Sequence, residues 1–411
     1  MKPSSLSQGR IATGGMLLVL LIVACGSQFL PNRGVSGIVR WGIFQARGRN
    51  SVWWNNLWKS NNGYYEQLME GEGDPRIVET PLTRLFEGKA PWADGLPSIY
   101  VDRGGYLITE ARPNMNFIDP LEGPIRTNSY GLFDTEHSLN KAANTRRIAV
   151  LGDSIGRGWC VAQEERFDTL TGKQLDAELG HHFEFINFSV SGYRMTQIFD
   201  VAMEKAPVFH PDTYIVMLTQ LSITPTWGEH LVRLVNGGRN LKYDFLRQIV
   251  QESGLRKDDS ASLREAKLAP YRFRALREML VRMQAHAEEQ SADLIVVLVP
   301  SGEDPEVTAN HFRGVKQALD GTEIPVVDLL DTFDSVDVAT VRRDWFDAHP
   351  NALGQRLIAE NLQRKVRLEP EAWAAITGMP VLSQRALSAP PEKRLRAFHE
   401  PLTTPSPATG N

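Results

Sequence analysis

The chain has 411 residues, too many for one small domain and few for three. Hydrophobic residues at 42% and charged residues at 23% exclude a wholly disordered or collagen-like chain and leave enough apolar side chains for a sizeable core. A formal net charge of −4 argues against a protein that coats nucleic acid, and two cysteines, Cys25 and Cys160, exclude a disulfide framework and an all-cysteine metal site.

Residues 1–10 are polar and carry Lys2 and Arg10, whereas Ile11 to Ala24 is apolar or small throughout. A basic start followed by a short apolar run reads as an export signal. The run is shorter than the roughly 20 residues that span a bilayer. Ile22-Val23-Ala24-Cys25 resembles the lipobox of bacterial lipoproteins, a resemblance that implies lipidation of Cys25. An uncleaved anchor extended through Phe29 and Leu30, or a plain signal peptide, are the alternatives for residues 1–25. All three expect the folded part outside the cytoplasm, either membrane-anchored or secreted. A lone Cys160 in that oxidising compartment is expected to be buried or otherwise protected.

Residues 26–144 read as an irregular N-terminal region. Trp41, Trp53, Trp54 and Trp58 cluster near its start, as a surface-resting segment or the cap of a small subdomain. Turn signals follow, among them Gly71-Glu-Gly-Asp-Pro75, Asp94-Gly95 and Gly104-Gly105, with apolar runs suited to a few short strands.

The pattern changes into a main domain expected over residues 145–370. Five short apolar runs, Ile148–Leu151, Phe183–Phe188, Tyr214–Leu218, Leu294–Val299 and Ile324–Leu329, suit strands buried on both faces. Helical spacing lies between or after them, as in Phe273, Leu276, Leu280, Met283 and Ala287, and in Leu353, Leu357, Ile358 and Leu362. Alternating strands and helices predict a three-layer α/β/α fold around a mainly parallel five-stranded sheet. Residues 226–270 are long and polar, broken at Gly237-Gly238 and Lys257–Ala261, and read as a lid or a decorated crossover. Residues 371–411 form a C-terminal extension whose tail from Ser388, rich in Pro, Ser and Thr, is expected to be disordered.

Ligands of open parallel sheets sit at the carboxyl ends of the strands. The first such end reads Gly152-Asp153-Ser154-Ile-Gly156-Arg-Gly158. Ser154 follows a buried strand and opens a helix, whose free N–H groups and partial positive charge suit a developing oxyanion. Three short patterns overlap there. Gly152-x-Ser154-x-Gly156 matches the nucleophile elbow of α/β-hydrolases. Gly152-x-x-x-Gly156-x-Gly158 resembles the cofactor turn of short-chain dehydrogenases, but no Tyr has a Lys four positions later. Gly152-Asp153-Ser154 resembles block I of the SGNH, or GDSL, hydrolases.

The C-terminal motif Asp347-Ala-His349-Pro350-Asn351 favours the third. A serine base must be an imidazole oriented by a carboxylate on its other nitrogen, and Asp347 stands two residues from His349. Asp344, five residues before His349, is the less suitable acid. Resemblance to SGNH hydrolases thus covers about residues 125–365, with Thr127-Asn-Ser-Tyr-Gly131 similar to the lead-in of secreted members. It implies a flavodoxin-like fold, a Ser154–His349–Asp347 triad, and oxyanion donors from the backbone of Ser154 and, in a block II-like turn, Gly192. Block III departs from the family. Where an Asn is expected, the chain has Thr219-Gln220-Leu-Ser222, so Gln220 or Ser222 is the candidate third donor.

The resulting expectation is an anchored extracytoplasmic serine esterase acting on a small-molecule ester or an acylated carbohydrate. It needs no metal or organic cofactor, binds no nucleic acid and meets the membrane through its N-terminus. An O-acyltransferase modifying an envelope or exported polysaccharide, and a non-catalytic carbohydrate-binding or scaffold module, are the alternatives.

Overall fold

The computed structural model describes residues 99–379, apart from 120–122, 221, 223, 304 and 345–346. Cys25, the apolar run before it, the Trp-rich segment and the tail from residue 388 lie outside the described residues.

Among the described residues, two antiparallel pairs precede the main sheet. β1 (Tyr100–Val101) pairs with β2 (Glu110–Ala111), and β3 (Asn116–Asp119) with β4 (Gly123–Arg126). Leu107, Ile125, Leu132 and Phe133 from this segment are buried in the core of the main domain. The segment thus completes that core, as its short apolar runs permit, and does not build one of its own.

The sheet itself consists of β5 (Thr145–Leu151), β6 (His182–Asn187), β7 (Thr213–Leu218), β8 (Asp293–Leu298) and β9 (Val326–Asp328). Their spatial order is β6-β5-β7-β8-β9, and every neighbouring pair is parallel. Alternate side chains of each strand enter different cores. Ala149, Leu151, Val216, Leu218, Val296 and Leu298 face one side; Ile148, Val150, Ile215, Met217, Ile295 and Val297 face the other. Both sides are covered by helices, which is why the strands are apolar throughout rather than alternating with polar residues.

On the second side lie α1 (Ser154–Arg157), α2 (Phe167–Leu179), α9 (Val338–Val341), α10 (Ala352–Val366) and α11 (Pro370–Thr377). On the first lie α3 (Met195–Asp200), α4 (Glu229–Asn236), α5 (Asp244–Ser253), α6 (Ala261–Leu268), α7 (Arg272–Glu289) and α8 (Pro305–Leu319). The expected stripe on α7 is buried at Leu276, Leu280, Met283 and Ala287. On α10 the stripe differs: Leu353 in the first turn is exposed, and the inward face is Gly354, Gln355, Ile358 and Leu362.

The polar stretch 226–270 is a crossover made of α4, α5 and α6. Its apolar residues Trp227, Leu231, Val232, Leu246, Ile249 and Leu268 join the first core. The Trp227 indole N–H donates to the Leu268 carbonyl, fastening the start of the segment to its end.

One expectation needs correction. The fold continues past the boundary expected at residue 370, because Trp373 and Ile376 of α11 are buried in the second core. Arg146 anchors that helix, donating from Nε to the Ile376 carbonyl at 2.8 Å and from Nη2 to the Ala375 carbonyl. Cys160, expected to be buried or protected, is half-buried. It directly follows Trp159 in a turn and adopts a φ of 62°, a conformation set by the turn.

A buried ionic cluster ties the N-terminal segment to the sheet. Arg147, only 1% exposed, donates to Glu184 Oε2 at 2.8 Å and to the carbonyls of Ser138 and Phe209. The other Glu184 oxygen meets His137 Nδ1 at 2.8 Å, and His137 Nε2 lies 3.2 Å from Asp134. Burial works against a charged His137, but hydrogen bonds and charge from Asp134 and Glu184 outweigh it and raise the imidazole to about 9. Burial likewise opposes the Glu184 charge, yet His137 and Arg147 draw it down to about 2.

These shifts have opposite consequences for stability. The His137 contribution is fully present below the unfolded value of 6.5 and is lost as pH rises towards about 9. The Glu184 contribution is present above 4.5 and is lost as pH falls towards about 2. Urea unfolding is therefore expected to show a falling midpoint from pH 6.5 to 9, and His137→Gln should flatten that fall. An equal slope in the variant would remove this cluster from the account. Separately, Ile376→Ala should destabilise the domain by about 2–5 kcal/mol in the same assay, as expected for a core residue. A dispensable extension would show no change.

Candidate active site

The site is built where β5 gives way to α1. Asp153 caps α1, its Oδ1 accepting from the Ile155 backbone N–H at 2.9 Å. Its Oδ2 accepts from the Thr219 hydroxyl at the end of β7. Burial pushes the Asp153 carboxyl above the usual carboxylate range, against the weaker pull of Thr219, Ile155 and the charges of His349 and Arg194. Gly156 lets the helix lie against the sheet: a Cβ there would stand 2.7 Å from Ser189 Oγ and 3.1 Å from Met217 Sδ.

Asn187, at the end of β6, braces α1 from beneath. Its amide nitrogen donates to the Gly156 carbonyl and to Asp168 Oδ2, both at 2.8 Å. Its oxygen accepts from the Ser189 N–H, and its own N–H donates to Asp134. Gln355 on α10 is a second strut. It donates to the Ile155 carbonyl at 3.2 Å and accepts from the Phe167 N–H at 3.1 Å. This fully buried amide joins α10 to α1 and α2.

The histidine arrives on a hairpin. β10 (Arg342–Asp344) and β11 (Asp347–Pro350) pair antiparallel, with Arg342 opposite Pro350 and Asp344 opposite Asp347. Asp347 and His349 thus lie in a short strand rather than a free loop. The Gly302 N–H, beyond β8, donates to the Ala348 carbonyl at 2.7 Å. Asn351 then caps α10 by accepting from the Gly354 N–H.

The sheet brings the three expected residues into one hydrogen-bonded chain. His349 Nε2 is 2.7 Å from Ser154 Oγ, and His349 Nδ1 is 2.5 Å from Asp347 Oδ1. Ser154 is fully buried and His349 nearly so. An ionised carboxylate only accepts, so it places the imidazole proton on Nδ1 and leaves Nε2 to accept from the serine hydroxyl. Burial opposes the Asp347 charge. Hydrogen bonds from His349 and Arg343, with the His349 charge, outweigh it and hold the carboxyl below the usual range. Asp347 is the acid that meets the imidazole.

Gly192 lies beyond β6 with φ at +81°, a conformation that favours glycine. The backbone N–H groups of Ser154 and Gly192 make no hydrogen bond to another described residue. At the end of β7, the Ser222 hydroxyl donates to the Thr219 carbonyl and the Thr219 hydroxyl donates to Asp153. Both hydroxyls are occupied, which leaves Gln220 of the two candidate donors. Gln220 is half-buried, with its amide oxygen enclosed and unpaired.

Four residues around the site escaped the sequence reading: Trp159, Asn187, Arg343 and Gln355. Asn187 and Gln355 left a trace, each a polar residue on an otherwise buried face. Trp159 and Arg343 left none, since their partners are distant in sequence or on the facing hairpin strand. The Trp159 ring lies 4.7 Å from the His349 ring, and Arg343 stands over Trp159 at 4.5 Å.

The doubly covered parallel sheet has the 2-1-3-4-5 strand order of flavodoxin-like folds, as in the SGNH hydrolases. A profile of the GDSL-like lipase/acylhydrolase family matches residues 150–357, and the chain belongs to that family. No curated protein matches it. Among solved structures the chain is similar to TesA, at 14% identity over 54% of this chain and 98% of that one, with a TM-score of 0.36. It is also similar to a lipase/acylhydrolase from Enterococcus faecalis, at 14% identity over 54% and 95%, with a TM-score of 0.35. Axe2, an acetylxylan esterase from Geobacillus stearothermophilus, shows 16% identity over 54% and 94%, with a TM-score of 0.38.

Replacing Gln355 by Leu should orphan the Phe167 N–H and leave the Ile155 carbonyl to the Gly158 N–H alone. The expected cost is about 1–3 kcal/mol for the buried N–H left unpaired. A urea midpoint equal to wild type would show that the strut carries no load.

Proposed function

We propose that the protein is an extracytoplasmic serine hydrolase that cleaves ester-linked acyl groups. The observation that carries this reading is the continuous chain from Ser154 Oγ through His349 to Asp347. Its placement outside the cytoplasm rests on the apolar run ending at Cys25, which also supplies the proposed membrane tether.

Ser154 Oγ attacks the ester carbonyl as His349 Nε2 takes the hydroxyl proton. Asp347 stabilises the imidazolium so formed and keeps the ring oriented. Negative charge gathers on the former carbonyl oxygen. The N–H groups of Ser154 and Gly192 bind it, with the Gln220 amide in place of the family's Asn. Collapse of this intermediate expels the alcohol, which takes the proton from His349. Water then repeats the sequence on the acyl-enzyme and releases the acid.

A fluorophosphonate probe tests the nucleophile directly. The wild-type protein is expected to label covalently, and Ser154→Ala to remain unlabelled. Equal labelling of both proteins would sink the proposal.

A further inference from the structure

The acid of the hydrogen-bonded chain is held at both oxygens. Oδ1 of Asp347 meets His349, and Oδ2 lies 2.9 Å from Arg343 Nη1. Arg343 comes from β10, the strand opposite Asp347 and His349 in the hairpin. Its guanidinium carbon also lies 4.5 Å from the centre of the Trp159 ring. Trp159, buried, packs 4.7 Å from the His349 ring at an interplanar angle of 59°. The four side chains close a ring: guanidinium to carboxylate, carboxylate to imidazole, imidazole to indole, indole to guanidinium.

A carboxylate held at one oxygen can turn about its last torsion and move the imidazole with it. A planar guanidinium that meets the second oxygen while lying on an aromatic face removes that freedom. We propose, on the serine-hydrolase reading above, that Arg343 is a positioning residue for the His349–Asp347 pair. It fixes the carboxylate and presses Trp159 against the imidazole, so that Nε2 stays aimed at Ser154.

The charged groups around the imidazole are Asp347 on its own strand, Arg343 across the hairpin and Asp153 at the start of α1, with Arg194 acting on Asp153. Removing the Arg343 charge favours the protonated ring. The pH limb that requires neutral imidazole therefore moves to higher pH.

The experiment compares wild type with Arg343→Met and Arg343→Lys in the full chain. Two quantities are read: the fluorophosphonate labelling rate against pH, and the proton resonance of the hydrogen bond between His349 Nδ1 and Asp347. Arg343→Met should lower the plateau rate by about 10²-fold, as for a misplacement of about 1 Å, raise the pH limb, and broaden or abolish the resonance. Arg343→Lys should return the limb towards wild type without the full rate, because an ammonium cannot lie flat on the indole. A wild-type limb and resonance in Arg343→Met would overturn the proposal. If that variant does not fold, a full labelling rate in Arg343→Lys would overturn it instead. Wild-type protein that never labels would refute the hydrolase reading, while the resonance would still decide the role of Arg343.

Discussion

Ser154 and His349 meet across 195 residues of chain, and the chemistry proposed for this protein depends on that one 2.7 Å contact. The contact exists because β5 is a central strand of a parallel sheet. Parallel strands end at the same edge, and helices cover both faces. Polar side chains are therefore kept to the strand ends, Arg147 and Glu184 towards the amino ends of β5 and β6 and the site residues at the carboxyl edge. The helix after β5 carries the serine to that edge, and the hairpin after the last strand carries the histidine.

Holding the contact requires more than topology. Ser154, Asp153, Asn187, Asp168 and Gln355 are all buried. A buried polar group is costly unless it is paired, so satisfied groups of this kind lock one arrangement against others. Asn187 ties α1 to β6, Gln355 ties it to α10, and Asp153 ties it to the end of β7. The short α1, a single turn of Ser154–Arg157, could not hold Ser154 in place alone. Its rigidity is borrowed from three neighbouring elements.

Much of this was legible in the sequence, for identifiable reasons. Strands buried on both faces must be apolar runs, so all five appeared as such. Gly152-Asp153-Ser154 and Asp347-Ala-His349 were legible because each is a local motif with a chemical purpose. The helix Pro370–Thr377 was not. It is eight residues long, and only its burial of Trp373 and Ile376 marks it as part of the domain. The helices between residues 229 and 268 were obscured by their polar outer faces, while their inward residues found a core the chain could not reveal in advance. Trp159 and Arg343 were invisible because their meaning lies in each other.

The sequence by itself determined the layer architecture and singled out Ser154, His349 and Asp347. Hydrophobic runs and short-range motifs depend on local chemistry, which the order of residues records directly. Only the tertiary structure decided which groups enclose that chemistry. It committed the Ser222 hydroxyl to the Thr219 carbonyl. It also placed Arg343 on the free oxygen of Asp347 and Trp159 against the imidazole. Such contacts join segments whose proximity is set by the parallel sheet, and no local pattern encodes a distance that the whole fold has to close.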